Sequence, residues 1–457
     1  MEMSREIARE ENGGEALVPA QPRQGGCRRL GVKIVGSLAL AGAVVAGVLV
    51  ELVGKSTPAP SPSPTPSPSP APPTPTPTPT PAVALYNCSS SLDFGEVVNA
   101  SQKGMAVDDT SFHFCAEKIP GLWPNSKVPM TSFRLFKAWD VNWPSDLQPK
   151  AWKALKAVVT ANNASVLVGT QVTCNETEDD ADWKNVLKLL QLLGRKAVMG
   201  VAVGNEMELL QFKDVKLVPR ECIARVWQGG YFYKKMLERA ADLDALEGFA
   251  DVPLTSVFGG YIMAGNPFVE TPGAMGLSFL KNVTKAFGNR WVWTLNVYPY
   301  FDPGNRLDPG STSNCSLAMQ KALCMEPTCL LPATTLAMRQ RITLLTKRKD
   351  DKLWLGETGW SSPQAGSLPG ANAFMAQCPE FSSEKAFSTY YSNFLKWNLS
   401  IGTSVGPEHV FYFTIRDALN FGVGEHFGLI STCESTTCKL TSKLDSAADV
   451  GQVDMVV

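Results

Sequence analysis

Two carboxylates sit where buried strands run out. In LWLGETGWSS, Leu353 to Ser362, an apolar run stops at Glu357 and is followed by Gly359 and Trp360. In AVMGVAVGNEMEL a second apolar run stops at Asn205 and Glu206. Leaving a carboxylate unpaired at the end of a buried strand costs several kcal/mol, so each needs a partner or a task. If both strands belong to one barrel with its reactive groups at the strand C-termini, the two carboxylates face a single cleft from nearly opposite sides. Such a pair suits cleavage of a glycosidic bond. One carboxylic acid protonates the leaving oxygen while the other attacks the anomeric carbon from the opposite face. A gap of about 5–5.5 Å allows a covalent intermediate and retention, and a wider gap admits water and gives inversion.

The elements that must hold them follow a regular alternation from about Ala84 to Leu440. Short apolar runs, KGMAV, SFRLFK, SVLVGTQV, AVMGVAVGNE, PLTSVFGG, WVWTLNVYPYF, LWLGETGW and VFYFTI, alternate with amphipathic stretches such as KAWKALKAVVTAN, ADWKNVLKLLQLLG and SEKAFSTYYSNFLKWNL. Several of these carry apolar residues at helical spacing. Eight strands alternating with helices predict an α/β fold, a (β/α)8 TIM barrel over 84–440. The rival, an open doubly wound sheet, lacks a G-x-G-x-x-G after its first strand. Glu208 and Asp140, also close to strand ends, read as solvated surface groups.

VAVGNE, NVYPYF, GETGWSS and EHFGLI resemble, in order, the four signature blocks of glycoside hydrolase family 17, retaining enzymes of clan A that act on β-1,3-glucans. The resemblance spans roughly Lys103 to Ile430, with its first third matching loosely. It implies that Glu206 is the general acid/base and Glu357 the nucleophile. It further implies that Asn205 bonds the sugar 2-OH, that the Tyr298 hydroxyl positions the nucleophile, and that Glu425 is a cleft carboxylate. Tyr300, Phe301 and Trp360 are candidate sugar-stacking platforms. The last block departs from the family: Asp417 aligns with its Asp, but Ala418 and Phe421 stand where it has Glu and Lys, and Arg416 is the candidate replacement for the positive charge. The implied activity is retaining, endo-type hydrolysis of β-1,3-glucan or transglycosylation, with β-glucan poly- or oligosaccharide as partner. The alternative is a glucan-binding membrane protein that has kept the cleft and lost turnover. No cofactor or metal is implied by this chemistry.

Ahead of the barrel, residues 1–31 are polar and read as a disordered cytoplasmic tail. Ile34 to Val50 carries no charge and, extended to 32–53, reads as a single transmembrane signal anchor. Arg23, Arg28, Arg29 and Lys33 precede it, which places the N-terminus inside and predicts a single-pass type II membrane protein with an exoplasmic barrel, at the cell surface or in the secretory pathway. A cleaved signal peptide is the other reading, and the long leader argues against it. Residues 54–83 form a Pro/Ser/Thr-rich linker, extended as polyproline II, and 441–457 reads as a disordered tail. Sequons at Asn87, Asn99, Asn163, Asn175, Asn282, Asn314 and Asn398 all follow the apolar segment, the one-sided pattern of a luminal glycoprotein. Of 11 cysteines only Cys27 precedes it, and the even set that follows predicts disulfides. Cys324/Cys329 and Cys433/Cys438 are the tempting neighbours, although spacing does not fix connectivity. A net charge of −1 leaves no basic stripe for nucleic acid.

Overall fold

The computed structural model describes residues 84–212, 218–263, 276–301, 315–363, 379–418 and 426–441. The predicted cytoplasmic tail, anchor and linker, all but the first residue of the 441–457 tail, and Glu425 lie outside the described residues. Among the described residues no helix is long and apolar enough to cross a membrane.

Eight parallel strands close into a barrel in chain order. They are β1 (Lys103–Val107), β2 (Ser132–Leu135), β3 (Ser165–Thr170), β4 (Val198–Asn205), β5 (Leu254–Gly259), β6 (Trp293–Asn296), β7 (Leu353–Thr358) and β8 (His409–Tyr412). Closure is made by β1 against β8, with Lys103 opposite Val410 and Met105 opposite Tyr412. Every strand falls within an apolar run of the sequence except β8, which starts one residue early at His409. The longest run, WVWTLNVYPYF, gives only four residues of β6, after which Pro299–Phe301 turns as a 3-10 helix. Around the strands run α1 (Asp109–Phe114), α2 (Gln148–Ala161), α3 (Glu176–Leu193), α4 (Arg220–Val226), α5 (Tyr231–Ala245), α6 (Gly276–Phe287), α7 (Cys315–Leu323), α8 (Leu330–Thr346) and α9 (Glu384–Lys396).

The strands are apolar on both faces because both faces are covered, one by helices and one by the barrel's own filling. Leu167, Ala202, Val257, Val292, Trp354 and Phe411, contributed by the wall of strands, form a compact inner cluster separate from the larger strand–helix core. The helices present apolar stripes to that larger core: α6 buries Leu277, Phe279, Leu280 and Val283 along one side. Among the described residues three of them start on a side-chain cap, Asp108 accepting from the Ser111 N–H, Asn175 from those of Thr177 and Glu178, and Ser383 from that of Ala386.

Disulfides join Cys88 to Cys438, Cys115 to Cys433, Cys174 to Cys222 and Cys324 to Cys329, and Cys315 is also disulfide-bonded. The neighbours Cys433 and Cys438 are therefore not partners. Each reaches back over 300 residues to the N-terminal side of the barrel, stapling the entering chain to the segment that leaves β8. Cross-links closing loops this long remove the most chain entropy from the unfolded state, about 5 kcal/mol each in the loop-closure picture. The sequon asparagines among the described residues, Asn87, Asn99, Asn163, Asn175, Asn282 and Asn398, are all exposed.

Candidate active site

The two glutamates arrive on strands whose pairing breaks where they leave the barrel. The β4–β5 register shifts between Ala202 and Asn205, the β6–β7 register between Leu295 and Asn296, and the β7–β8 register between Leu355 and Thr358. Irregularities of this kind re-aim a side chain that a regular strand would send into the wall. At the end of β4 the turn is sharp: Gly204 has φ +78° and Glu206 itself has φ +48°, a left-handed conformation that costs a side-chain-bearing residue about 1 kcal/mol or more. The Glu206 N–H still holds the sheet through the Val257 carbonyl, 2.7 Å away. At β7, Gly356 leaves room for a side chain of the neighbouring strand β6, since a Cβ there would sit 2.8 Å from the Asn296 amide oxygen.

One amide joins the pair. Asn296 Nδ2 donates to Glu206 Oε1 and to Glu357 Oε1, both at 2.9 Å. The two carboxylate oxygens thus lie no more than twice that distance apart, within the spacing of a retaining glycosidase rather than an inverting one. Glu357 takes two further donors. Arg134 Nη1 reaches its Oε1 at 2.7 Å and also the Gly356 carbonyl, while the Tyr298 hydroxyl reaches its Oε2 at 2.6 Å. Arg134 Nη2 bonds Asn205 Oδ1 at 2.7 Å, which ties the residue before Glu206 to the cation that holds Glu357. Arg134 is 2% exposed, Asn296 4% and Glu357 7%. The pairing of its charge and the bonds of both Nη atoms offset the cost of burying Arg134, while its Nε has no partner among the described residues.

The two carboxyls are differentiated by these partners. Burial, and then the negative charge of Glu357, push Glu206 up to about 7, with the Asn296 hydrogen bond and the Arg134 charge opposing in part. A carboxyl that keeps its proton beside one gripped by a guanidinium, an amide and a phenol is the division of labour that acid catalysis and nucleophilic attack require.

Sequence reasoning found Glu206, Glu357, Asn205 and Tyr298, and these converge. It passed over Arg134 and Asn296, although an arginine inside SFRLF and an asparagine inside WTLN are polar residues in buried runs and carried a signal. Tyr300 and Trp360 are corrections: both are fully buried at 0% exposure and have no ring face free for a sugar. Trp360 stacks on Phe381 and donates its indole N–H to the Phe381 carbonyl; Tyr300 packs edge-on against Trp360 and Phe427. Aromatic rings around the partners of Glu357 are Phe136, 4.5 Å from the Arg134 guanidinium, and Phe413, edge-on to both Phe136 and Tyr298.

The altered last block also resolves differently. Arg416 is buried away from the cleft, its guanidinium bonding the Lys118 and Thr432 carbonyls and the Ser111 hydroxyl. The positive charge beside Asp417 comes from Lys439 at 2.6 Å, a residue beyond the block. Asp140 and Glu208 are buried as well, at 8% and 6% exposure. Asp140 pairs with Lys137 at 2.5 Å.

No protein-family model and no curated protein matches the chain. Among solved structures it is similar to an active-site mutant of Rhizomucor miehei β-1,3-glucanosyltransferase in complex with laminaritriose, at 13% identity and a TM-score of 0.40, covering 74% of this chain and 96% of that one. It is also similar to the glycoside hydrolase family 17 β-1,3-glucanosyltransferase from the same organism, at 14% identity and a TM-score of 0.38, covering 77% and 97%. A GH5_18 enzyme variant from Streptomyces cattleya in complex with Manβ1-4GlcNAc matches at 12% identity and a TM-score of 0.41, covering 74% and 77%. At such identities and scores, the functional reading rests on the residues of the cleft.

Proposed function

We propose that this chain is a retaining glycosidase or transglycosylase acting on β-1,3-glucan, with Glu357 as nucleophile and Glu206 as acid/base. The observation that carries the reading is the Asn296 amide shared by Glu206 and Glu357, which sets two unequally held carboxyls at the separation that double displacement needs. In the first half-reaction Glu206 gives its proton to the leaving glycosidic oxygen as a Glu357 oxygen bonds the anomeric carbon. The C–O bond to the leaving sugar breaks and a glycosyl ester forms. In the second half-reaction Glu206, now a carboxylate, takes a proton from the incoming water or sugar hydroxyl, which displaces Glu357. Asn205, its Oδ1 fixed by Arg134, turns its amide N–H toward the 2-OH, and the Tyr298 hydroxyl holds Glu357 until attack. The β-1,3 preference comes from the four-block resemblance.

Replacing Glu357 with Gln should lower turnover of laminari-oligosaccharides by about 10⁴-fold or more while the fold persists. Substantial residual turnover in that variant would sink the assignment. Product chains longer than the substrate, seen by mass spectrometry, mark transfer; shorter ones alone mark hydrolysis. Tight laminari-oligosaccharide binding by the wild type with no product would favour the glucan-binding alternative. The apolar segment 32–53 and the Pro-rich 54–83 support a setting in which the barrel stands off a membrane on its exoplasmic side, and the exposed sequon asparagines fit it. Alkaline carbonate extraction and protease protection of the full chain test that setting.

A further inference from the structure

A third carboxyl lines the cleft wall behind the acid/base. Glu208 leaves β4 two residues after Glu206, on the 3-10 turn Met207–Phe212, and is 6% exposed. Neither of its carboxyl oxygens has a hydrogen-bond partner of good geometry; only its own N–H and that of Gly259 face it. A methyl built on Gly259 would lie 3.0 Å from Glu208 Oε1 and 3.6 Å from Glu206 Oε1, so both carboxyls face the side-chain position that this glycine leaves open at the end of β5. A buried carboxyl with empty hydrogen-bonding capacity is expensive to keep and needs a reason.

Charge counting supplies one. Glu206 is faced by Glu357 from β7, Arg134 from β2 and Glu208 from its own segment, and Glu206 is the charged group that acts on Glu208. Among the described residues one guanidinium serves three carboxyls, so Glu208 cannot carry charge without cost, and burial followed by the Glu206 charge holds its proton on well above the usual carboxylate range. During the first half-reaction Glu357 becomes a neutral ester while Glu206 gains a negative charge. At that moment Asn296 donates to Glu206, and a protonated Glu208 carboxyl is a donor beside it with no partner of its own.

We propose that Glu208 is a positioning residue for the acid/base, a neutral carboxyl whose O–H turns to the Glu206 carboxylate once Glu206 has given up its proton. No bond to hydrogen is broken at Glu208; it lends a hydrogen bond that exists only while Glu206 is a carboxylate, in the intermediate and the transition states flanking it and in the free enzyme above the pH at which Glu206 loses its proton. The inference rests on the glycosidase reading for its role, but not for its protonation state.

The test compares Glu208→Leu with Glu208→Gln in the full chain. Glu208→Leu should fold, because it removes an unpartnered polar group, yet lower kcat by about 10- to 100-fold with KM nearly unchanged. Its basic limb of kcat/KM should move upward by about one pH unit, since the Glu206 carboxylate loses a donor. Glu208→Gln should restore both, because an amide N–H donates where the O–H did. An unmoved limb in Glu208→Leu, or a Gln variant as slow as Leu, overturns the proposal. Substrate-free infrared spectra separate this from the wider reading. Wild type minus Glu208→Gln at neutral pH should show one protonated carboxyl C=O stretch, and carboxylate bands in its place overturn the proposal. The infrared titration of the Glu206 carboxyl should shift upward in Glu208→Leu, and an unshifted titration overturns it too. A wild type inert toward glucans, with both infrared results as expected, sinks the functional reading alone.

Discussion

The two ends of the barrel each bury a cation, and they use it differently. At the mouth, Arg134 on β2 has a carboxylate, a side-chain amide and a carbonyl as partners, and two of these are groups that would touch substrate. At the floor, Lys103 on β1 is 0% exposed and donates only to carbonyls, those of Val98, Leu395 and Trp397, at 2.6–2.8 Å. Two of these carbonyls lie at the C-terminal end of α9, so Lys103 closes that helix from inside the fold. Nearby, the buried His409 ring shares a 2.7 Å hydrogen bond with Ser132, whose hydroxyl also donates to the Lys103 carbonyl. The floor's polar groups are spent mainly on backbone carbonyls, with the Ser132–His409 pair beside them. The mouth's polar groups are spent on one another and leave carboxyl oxygens to the cleft. The same expense of burying charge supports structure at one end and chemistry at the other.

Breaking each cation should separate the two ends. Arg134→Met should lower kcat/KM per folded molecule by about 10²–10³-fold, because Glu357 and Asn205 lose the donor that fixes them, a loss far beyond what any fall in the unfolding midpoint explains. If that variant loses stability and activity in proportion, the contrast collapses. Lys103→Met should do the reverse, lowering unfolding stability in a urea titration by about 2–4 kcal/mol as three buried carbonyls go unpaired, while kcat/KM per folded molecule stays within about threefold.

Two pH dependences sharpen the same contrast. At the mouth, Glu206 must be protonated to act as acid and holds its proton to about pH 7. The pH profile of kcat/KM should therefore fall on the alkaline side from about that value. A profile flat to pH 9 removes Glu206 from the acid role. At the floor the readout is stability. Burial lowers His409 to about 3, so the folded state binds fewer protons than the unfolded state between there and the ordinary histidine value. Stability contributed by neutral His409 should be lost as pH falls through that window, and His409→Gln should show a shallower loss in acid titrations of unfolding free energy. Lys103, lowered by burial to about 7, acts with the same sign in a higher window: stability rises as pH climbs from there toward the ordinary lysine value.

Much of this was legible in the chain itself. Buried parallel strands must be apolar throughout, so each of the eight announced itself as a run, and glutamates at the ends of the fourth and seventh stood out against that background. Asn205 and Tyr298 came from the resemblance of VAVGNE and NVYPYF to family signature blocks. Arg134 and Asn296 did not, because an interior polar residue is interpretable only once its partners are known, and those partners sit on strands 60 to 220 residues away. Tyr300 and Trp360 misled for the converse reason. An aromatic ring near a catalytic strand end is equally suited to stack on a sugar or to pack beneath the rim, and only neighbours such as Phe381 and Phe427 decide. Glu208 looked like surface because helical and strand periodicity carry no information about a 3-10 turn folded back into the wall.

Local sequence, then, determined where strands form, which carboxylates end them, and the presence of an anchor-like segment and a proline-rich stretch before the barrel. Backbone propensity and apolar patterning act over a few residues and survive reading in one dimension. Tertiary structure decided that one amide would bridge Glu206 and Glu357, that Arg134 would grip Glu357, that Lys439 and not Arg416 would face Asp417, and that Cys433 and Cys438 would each pair across the fold. These depend on barrel closure, which brings remote residues within 3 Å of one another. Electrostatics and hydrogen bonding act at that range and nowhere along the chain.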